Sequence, residues 1–553
     1  MGSSGHSERE HFFGAAKVVA ALTVLSRVLG MVRDMAILAM GATRRTDAFW
    51  VAFKVPNVFR RLFGEGALAA AFVPVFTDVS EAHGWDRARL VLANSAGLLA
   101  LVLAVILVLG EVSLAAVLLW TPLGWDNALL VRLVMLLLPF MFTICLLALG
   151  SAALQCKGHF AYPAFAPILL NIFLIAAAAA IHLFGLGAGD TSLYLLCLGT
   201  VAAGVTQLIG VAWLLGRMQL AAMPRLRPLL SETRRVAGLI LPMMIPLGVV
   251  QFSSLFDGLY AWVMTAATEG STITIFGWSL SKPLTAGVVT RLYAAERMYN
   301  FPLGILAISL ATAVFPLFSR YAARNDISGL RQATNRALRL CLFLGVPAGV
   351  ALMLLARPAL TLIYCHGDFL AKDADRAADI LRLYCIGMWA YFANHILLRA
   401  FFAQKDTRIP MHLALWRAIV NILLVMTLVF TPLAAGAFGM ATAVTSSVHA
   451  LVLVWILHRR WGHIGLGRIL RSVVRTAVAT ACMVGAILAV CRFWPADAAS
   501  PEHWTEAGKL TGACIVCGGV AFLVAAWAMR SRELAELWGA ARHEQPDESA
   551  EPL

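Results

Sequence analysis

Long apolar stretches recur along the whole chain, and short polar connections separate them. A helix needs about 20 apolar residues to cross a bilayer, so this pattern predicts a chain that crosses the membrane many times. We count about fourteen stretches, centred near residues 26, 62, 104, 142, 172, 205, 250, 305, 348, 388, 421, 446, 481 and 518. The first carries Arg27 and Arg33 and lacks a small-residue cleavage site, which favours a retained helix over a removed signal peptide.

Composition strengthens the membrane interpretation. Of 553 residues, 60% are hydrophobic and only 13% are charged, and the mean hydropathy is +0.80. Water cannot be the only solvent of such a chain, which excludes a soluble enzyme or binding module. The net charge of +14 does not indicate nucleic-acid binding, because the Lys and Arg residues lie at alternate helix ends rather than on one soluble face.

Those alternate ends predict the topology. If both termini lie in the cytoplasm, most basic residues fall on the inner side of the membrane, as the positive-inside rule requires. The inner set includes Arg87, Arg89, Lys157, Arg217, Arg225, Arg227, Arg234, Arg235, Arg320, Arg324, Arg331, Lys405, Arg408, Arg459, Arg460, Arg468 and Arg530. The exceptions are Arg44, Arg45, Lys372 and Arg376.

An internal repeat organises the predicted helices. The segment Leu68–Phe76 is similar to Leu310–Phe318, about 242 residues later. Further along, Gln155, Lys157, Pro163 and Asn171 are echoed by Gln404, Lys405, Pro410 and Asn421, about 247 to 250 residues later. Two matches in nearly the same register predict a duplication, and an even number of helices per copy makes it a parallel repeat with its binding site between the copies.

We therefore predict an all-α membrane protein with about fourteen transmembrane helices and a central cationic cavity. The predicted parts are an N-terminal cytoplasmic tail (1–11), two pseudo-symmetric six-helix lobes (12–220 and 221–462), two C-terminal helices (463–532) and a cytoplasmic C-terminal tail (533–553). Rocking one lobe against the other would open the cavity to each leaflet in turn.

Charges inside the first two apolar stretches are the strongest functional signal. An ionisable group costs several kcal/mol in lipid unless it faces a wet cavity or a partner, so it marks a functional candidate. The cations are Arg27, Arg33, Lys54, Arg60 and Arg61, and the acids are Asp34, Asp47 and Glu65. Structural pairing, Arg27 with Asp34 and Arg61 with Glu65, is the alternative interpretation. Because the cations outnumber the acids, the set predicts an anionic ligand, and guanidinium groups suit a diphosphate.

The helical periodicity of the second stretch indicates which of its charged residues lie on the same face. Asp47, Lys54 and Arg61 repeat every seven residues and share one face. Pro56 is expected to bend this helix and reset the phase, so Arg60 remains an alternative to Arg61 as the inward residue.

Four blocks carry a family resemblance. They read SRVLGMVRD from Ser26, TDAFWVAFKVPN from Thr46, RRLFGEG from Arg60 and PAFAP from Pro163. Together they resemble the MurJ (MviN) family of lipid II flippases, in the MOP (multidrug/oligosaccharidyl-lipid/polysaccharide) exporter superfamily, and the similarity extends to about Arg460.

The resemblance implies a transporter rather than an enzyme, working in peptidoglycan biosynthesis on undecaprenyl-diphosphate-linked disaccharide-pentapeptide. It also implies which residues match the family's essential cavity arginines, namely Arg27, Arg33, Arg60 and Arg297. This match favours Arg60 over Arg61. With their neighbours, the candidate substrate-binding residues are Arg27, Arg33, Arg60, Arg297, Arg61, Lys54, Ser26, Asp47, Asn57 and Glu65.

No phosphate-cradling loop is present in the sequence, so we expect an ion gradient or the membrane potential to drive transport, with Na⁺ or H⁺ as the coupling ion and no cofactor. Asp257, Asn421 and Thr442 are the candidate cation ligands. A metal or redox role for Cys514 and Cys517 is disfavoured because their CxxC lies in an apolar helix. We expect a monomer whose partners are lipid II and membrane lipids.

Other interpretations remain at this point. A flippase for another undecaprenyl-linked oligosaccharide would share the arginines, a multidrug or cation antiporter would need an acidic cavity, and a membrane glycosyl transferase would need a carboxylate base. The segment Thr265–Thr290 is longer than the usual connection in the family, and we interpret it as a surface insertion or as a re-entrant or gating element.

Overall fold

The structure is a computed structural model that describes residues 4–64, 67–187, 189–221, 223–266, 271–275, 278–494 and 504–542. Nearly all of these residues are helical. The first helices are α1 (Ser4–Leu38), α2 (Arg44–Phe59), α3 (Ala67–Trp120), α4 (Trp125–Cys156), α5 (Ala161–Leu183), α6 (Asp190–Arg217) and α7 (Ser231–Met264). Gly84, with φ of 77°, divides α3 into two helical stretches.

The remaining helices follow a short β-hairpin. They are α8 (Val288–Pro302), α9 (Ile308–Ala323), α10 (Ile327–Leu354), α11 (Ala356–Tyr364), α12 (Ala371–Ile386), α13 (Met388–Ala403), α14 (Arg408–Leu428), α15 (Gly436–Trp461), α16 (Leu466–Phe493), α17 (Trp504–Ala528) and α18 (Arg532–Arg542). Within the described residues, 10 helices are long and apolar enough to cross a membrane. The multi-pass membrane prediction is thus confirmed, whereas the fourteen-span, two-lobe arrangement stays a prediction.

Two π-helical turns mark equivalent places in the chain. One, Arg60–Gly64, lies between α2 and α3, and the other, Leu303–Ala307, lies between α8 and α9. They are separated by about 243 residues, nearly the offset of the predicted repeat. The connections α4–α5 and α13–α14, where the second sequence match falls, are also alike, with four residues each between the helix ends. The sequence repeat therefore coincides with a repeated local structure.

The chain divides into two compact units. The first comprises residues 1–290 with 367–369, and the second comprises 291–366 with 370–553. The short segment 367–369 belongs to the first unit because the N–H of Asp368 donates to the carbonyl of Ala39 at 2.8 Å. The predicted lobe boundary at residue 220 divides the chain by repeat rather than by packing, and it stays a prediction.

The core of the first unit is aromatic and aliphatic. Phe72 and Phe76 of α3 stack at 4.9 Å, and they belong to a cluster that includes Phe140 and Met141 of α4. The second unit has a comparable core around Phe392 of α13 and Leu453 of α15, among others. Outside these cores, many large apolar side chains are exposed on the protein surface, such as Leu119, Trp120, Leu183, Phe184 and Trp527. Such a surface suits lipid as the surrounding solvent.

The two helices after the predicted repeat pack on each other and on α10. Phe343 of α10 and Phe522 of α17 lie 5.0 Å apart in a separate cluster that α16 completes. Residues from 533 onward were predicted to be a tail, yet the structure places the first ten of them in α18. Buried Glu533 holds this helix through Arg339 at 2.7 Å and Ser472 at 2.8 Å. Its cytoplasmic location stays a prediction.

The segment 265–290 contains an antiparallel hairpin, β1 (Thr272–Ile275) with β2 (Trp278–Ser281), in which Thr272 pairs with Ser281. Sequence analysis predicted only helices and did not predict this hairpin, which is a small addition to an architecture that is all-α as predicted. Thr, Ile and Trp favour strands, but each of these strands has only four residues. A stretch that short is not distinguished by its hydrophobic pattern from a loop between membrane helices.

Candidate functional site

The N-terminal end of α2 is fixed by a capping box between Thr43 and Thr46. One turn inside, Asp47 reaches the start of α8: one oxygen accepts from the N–H and the hydroxyl of Thr290, both at 2.8 Å, and the other accepts from the N–H of Gly287 at 2.8 Å. Asp47 has 0% exposure. In this structure it caps another helix, and its oxygens are not open to a ligand.

The close approach at this point requires glycine. Gly287 has φ of 85°, and a Cβ there would lie 2.1 Å from the carbonyl oxygen of Ala42. An L side chain would be strained and would also collide with the chain that leads into α2. Gly287 thus lets Asp47 approach the start of α8.

Arg33 belongs to a buried network that joins α1 to α5. Its guanidinium donates to Asp34 at 2.6 and 3.0 Å and to the side-chain oxygen of Asn171 at 3.0 Å. Asn171 in turn donates to the carbonyl of Ser26 at 3.0 Å. The predicted alternative pairing of Arg27 with Asp34 is therefore wrong: the long Arg33 side chain reaches its sequence neighbour despite the difference in helical phase.

Arg27 is exposed, and within the described part of the chain no carboxylate lies within salt-bridge distance of it. It lies one helical turn from Gly30, over which Asn171 packs. Arg27 and Arg33 therefore differ sharply although both lie on α1. Arg33 is held by Asp34 and Asn171, whereas Arg27 is exposed.

The helical phase changes after Pro56, as predicted, and the change takes the form of the π-helical turn that begins at Arg60. Nε of Arg60 donates to the side-chain oxygen of Asn57 at 3.1 Å, and Asn57 donates to the carbonyl of Phe53 at 2.8 Å. Arg61 is exposed, and it donates to Gln251 of α7 at 3.3 Å. The structure leaves both arginines as candidates. Glu65 lies outside the described residues.

Lys54 extends along α7, a contact that sequence analysis did not foresee. Its Nζ lies 3.4 Å from the carbonyl oxygen of Ser254, and a Cβ at Gly258 would lie 3.1 Å from its Cδ. Together, Lys54 and Arg61 bring two cations to the face where α2 and the following turn contact α7. Among described residues, neither has a carboxylate within salt-bridge distance.

Arg297 belongs to the second unit. It is exposed on α8, where its Nε donates to the hydroxyl of Tyr293 at 3.1 Å and its guanidinium lies 5.4 Å from that ring. Its neighbour Glu296 accepts from Tyr384 at 3.4 Å. The convergence of Arg297 with the arginines of the first unit stays a prediction.

The three predicted cation ligands are distributed over the two units. Asp257 is half-buried on α7 in the first unit. In the second unit, Asn421 accepts from Thr445 at 3.4 Å, and Thr442 donates to the carbonyl of Phe438 at 2.8 Å. The described residues contain no group of three or more His, Cys, Asp or Glu side chains that could hold a metal ion.

Arg44 and Arg45 at the start of α2, two of the exceptions to the predicted charge rule, form ion pairs. Arg44 donates to Asp126 at 2.9 Å and lies 3.4 Å from the centre of the Trp262 ring, while Arg45 donates to Asp190 at 2.8 Å. Asp126 and Asp190 lie in the first turns of α4 and α6, where a carboxylate also favours the helix dipole. This first-turn position is the signal that could have identified them.

Comparison with known proteins places these features in a family. A family model described as Lipid II flippase MurJ matches residues 37–500. The chain is 31% identical over 518 residues to the probable lipid II flippase MurJ of Rhizobium meliloti, and the match covers 92% of each chain.

Solved structures show the same fold. A lipid II flippase MurJ in an inward closed conformation matches with a TM-score of 0.72 at 20% identity, over 94% of this chain and 99% of that one. An inward-facing multidrug resistance MATE family transporter of the MOP superfamily matches with a TM-score of 0.63 at 15% identity, over 81% of this chain and 98% of that one. The transporter fold is common to both, so the fold alone does not identify the substrate.

Proposed function

Since the chain belongs to the MurJ family of lipid II flippases, we propose that it moves lipid II from the inner to the outer leaflet of the bacterial cytoplasmic membrane by alternating access. The substrate is the undecaprenyl-diphosphate-linked disaccharide-pentapeptide. A flippase breaks no covalent bond of its substrate, so the protein has to bind the charged head group, shield it from lipid and release it on the other side.

One observation carries the proposal. Arg27, Lys54 and Arg61 bring three positive charges to membrane helices, and among the described residues none of them has a carboxylate partner. Unmatched cations are costly in a medium of low dielectric constant, and an anionic ligand removes that cost. A diphosphate is doubly charged and accepts several hydrogen bonds from guanidinium groups. Arg60 and Arg297 would complete the diphosphate site.

Arg33 contributes differently. Because Asp34 and Asn171 already hold its guanidinium, it positions α1 against α5 and keeps Arg27 in place. Asp47 and Asn57 likewise act through helix contacts rather than through the ligand in this conformation. We therefore expect the conformational change to break the contact between Asp47 and the start of α8 when the substrate is released outward.

The test is depletion of the native protein followed by rescue with Arg27→Ala, Arg33→Ala, Arg60→Ala or Arg297→Ala. Accessibility of lipid II at the outer face is the measurement. A matched control is Arg45→Ala, an exposed arginine of the same unit whose partner is Asp190. We expect the control to rescue and the four variants to fail; full rescue by all four would refute the diphosphate site.

The charge of the first unit also argues against the nearest alternative. A transporter of cationic drugs requires acidic groups that face its substrate, whereas the described acids of α1 and α2 that were candidates are engaged: Asp34 by Arg33, and Asp47 by the start of α8. A flippase for another undecaprenyl-linked oligosaccharide would use the same arginines. Competition between lipid II and undecaprenyl diphosphate bearing a different sugar, measured in vesicles containing the purified protein, separates these two substrates.

An ion gradient is the proposed energy source, with Na⁺ or H⁺ bound by Asp257, Asn421 and Thr442. Asp257 supplies the charge, and the other two supply neutral oxygens. Flipping in vesicles should then depend on an imposed Na⁺ or H⁺ gradient, and Asp257→Asn should remove that dependence. Transport that is equally fast without either gradient would exclude this coupling.

Topology and assembly complete the proposal. Both termini lie in the cytoplasm, which leaves Arg44 and Arg45 on the outer side, where Asp126 and Asp190 neutralise them. The protein acts as a monomer. Reporter fusions at residues 122 and 220 should report the outer and the inner side respectively. The reverse result would show that both termini lie on the outer side.

A further inference from the structure

The interior of the second unit contains a polar network across α13, α14 and α15. Nη1 of Arg417 lies 3.4 Å from the hydroxyl oxygen of Ser446. The backbone carbonyl of Ser446 accepts from the side-chain amide of Asn394 at 3.1 Å, and the oxygen of that amide lies 2.9 Å from Nδ1 of His449. The four residues form one connected set inside a single unit.

Three buried groups at this network have an unused hydrogen-bonding atom. They are Nε of Arg417, Nε2 of His449 and the hydroxyl oxygen of Tyr391, and none of these atoms has a hydrogen-bond partner in the described protein. His449 is 7% exposed and Tyr391 is 8% exposed. A Cβ at Gly387 would lie 2.6 Å from the Tyr391 hydroxyl oxygen and 2.7 Å from the Cα of Ala443, which places that hydroxyl beside α15, one turn before Ser446. Buried polar groups are normally satisfied, so three such atoms together call for a ligand.

Hydrogen bonding fixes which role each atom can play. Because the Asn394 amide nitrogen donates to Ser446, its oxygen is the acceptor, and Nδ1 of His449 must carry the proton. Nε2 therefore accepts in a neutral ring and donates in an imidazolium. Nε of Arg417 is always a donor, and the Tyr391 hydroxyl can donate. The unused atoms are thus two donors and one group that becomes a donor on protonation.

The net charge decides between water and an ion. In the described residues, no carboxylate lies within salt-bridge distance of Arg417. A water molecule would satisfy hydrogen bonds but would leave the guanidinium charge uncompensated in the membrane interior. An anion would satisfy both. It must be small, because a Cβ at Gly387 would already lie 2.6 Å from the Tyr391 hydroxyl oxygen.

We propose that Arg417, Tyr391 and His449 form a binding site for a small monovalent inorganic anion of the size of chloride, within the second unit. This site is separate from the substrate arginines of the first unit. Arg417 supplies the charge, Tyr391 supplies a neutral donor, and His449 supplies a third donor when it is protonated. Anion binding and proton binding therefore favour each other.

Titratable groups lie on each helix packed against α15. They include Arg417 of α14, Tyr391, His395 and Arg399 of α13, Tyr384 and Cys385 of α12, and Cys341 of α10. Glu296 of α8 lies further out, where Tyr384 donates to it at 3.4 Å. No carboxylate acts on His449 in the described residues, so a bound anion is the group that would stabilise its imidazolium.

The test measures thermal stability of the purified full-length chain in nanodiscs while sodium chloride replaces sodium gluconate at constant ionic strength. We expect a saturable rise in melting temperature whose half-maximal chloride concentration falls as the pH is lowered from 8 to 4.5. Arg417→Gln should raise that concentration by about tenfold or more, the effect of losing a charge-assisted hydrogen bond. His449→Gln should keep the response and remove its pH dependence.

Two controls locate the effect. Arg399→Gln removes an arginine of α13 that stacks on Phe315 and takes no part in the network. Arg60→Gln removes a cation of the first unit. Both variants should respond to chloride as the unaltered chain does. If Arg417→Gln does not fold, radioactive chloride binding to the unaltered chain and to Arg60→Gln replaces it, with one equivalent retained in both. No saturable response, or the same response in Arg417→Gln, would overturn the site. Neither result depends on lipid II transport.

Discussion

Asp47 of α2 accepts hydrogen bonds from both the backbone N–H and the hydroxyl of Thr290, at 2.8 Å each, and thereby caps a helix about 243 residues away in the chain. The next residue, Arg291, pairs with Asp373 at 3.0 Å inside the second unit. Two consecutive residues in the first turn of α8 are therefore each held by a carboxylate, Thr290 by Asp47 and Arg291 by Asp373.

Asp47→Asn should destabilise the protein by about 2 kcal/mol, because the amide cannot accept from all three donors and leaves at least one of them buried and unsatisfied. Thermal unfolding in nanodiscs measures the loss. The matched control is Asp190→Asn, whose pair with Arg45 is about half-exposed and should contribute less than about 1 kcal/mol. Equal losses in the two variants would show that the cap is not stabilising.

Substitution of Arg27 should abolish transport without loss of stability, whereas substitution of Arg33 should lower the stability of the fold. Arg33→Gln leaves Asp34 buried without its cation and should cost about 3–5 kcal/mol. Arg27→Gln removes an exposed side chain and should change stability by less than about 0.5 kcal/mol while lipid II flipping is lost. Unfolding and vesicle transport are measured on the same preparations. A large loss of stability in Arg27→Gln would identify it as structural instead.

Gly287→Ala should destabilise strongly. Its positive φ alone costs about 1–2 kcal/mol for an alanine, and the overlap with the carbonyl of Ala42 adds to that cost. Gly485→Ala in α16 is the control, since no atom lies within 4 Å of the added Cβ and helix propensity should stabilise it by about 0.5–1 kcal/mol. Unfolding shifts of the same sign in both variants would contradict the steric argument.

Asp406 connects the end of α15 to the start of α14, outside the membrane. Partial burial acts to raise its pKa, but hydrogen bonds from Arg460 and from the N–H groups of Ile409 and Arg408 outweigh it and lower the pKa below 3.8. Its stabilising contribution is therefore complete above pH 3.8 and is lost as pH falls through the lowered value. The difference in melting temperature between the unaltered chain and Asp406→Asn should stay constant from pH 5 to pH 8. A difference that varies over this range would exclude the ion pair as its source.

Local sequence signals predicted the elements that depend on local physics. Apolar stretches of sufficient length gave the membrane helices, and Pro56 gave the change of phase before Arg60. The family resemblance, carried by blocks such as Ser26–Asp34, is confirmed by the comparisons. Each of these depends on residues close together in the chain.

Contacts between distant residues were not predictable in the same way. Asp47 shares a seven-residue stripe with Lys54 and Arg61, which placed it among the substrate ligands, yet in the structure it caps α8. Arg33 rather than Arg27 pairs with Asp34, and Asn171 of α5 holds Arg33 there by a second hydrogen bond. Periodicity describes one helix at a time, whereas these roles are decided by the neighbouring helix.

The two π-helical turns, Arg60–Gly64 and Leu303–Ala307, have the same consequence for the residues that follow them. A π turn holds one residue more than an α-helical turn, so the side chains that follow it are shifted by about 100° around the helix axis. Both halves of the predicted repeat therefore undergo the same change of helical phase at equivalent places. Arginine opens the first turn and leucine opens the second, so the two places differ in charge while they have the same local backbone.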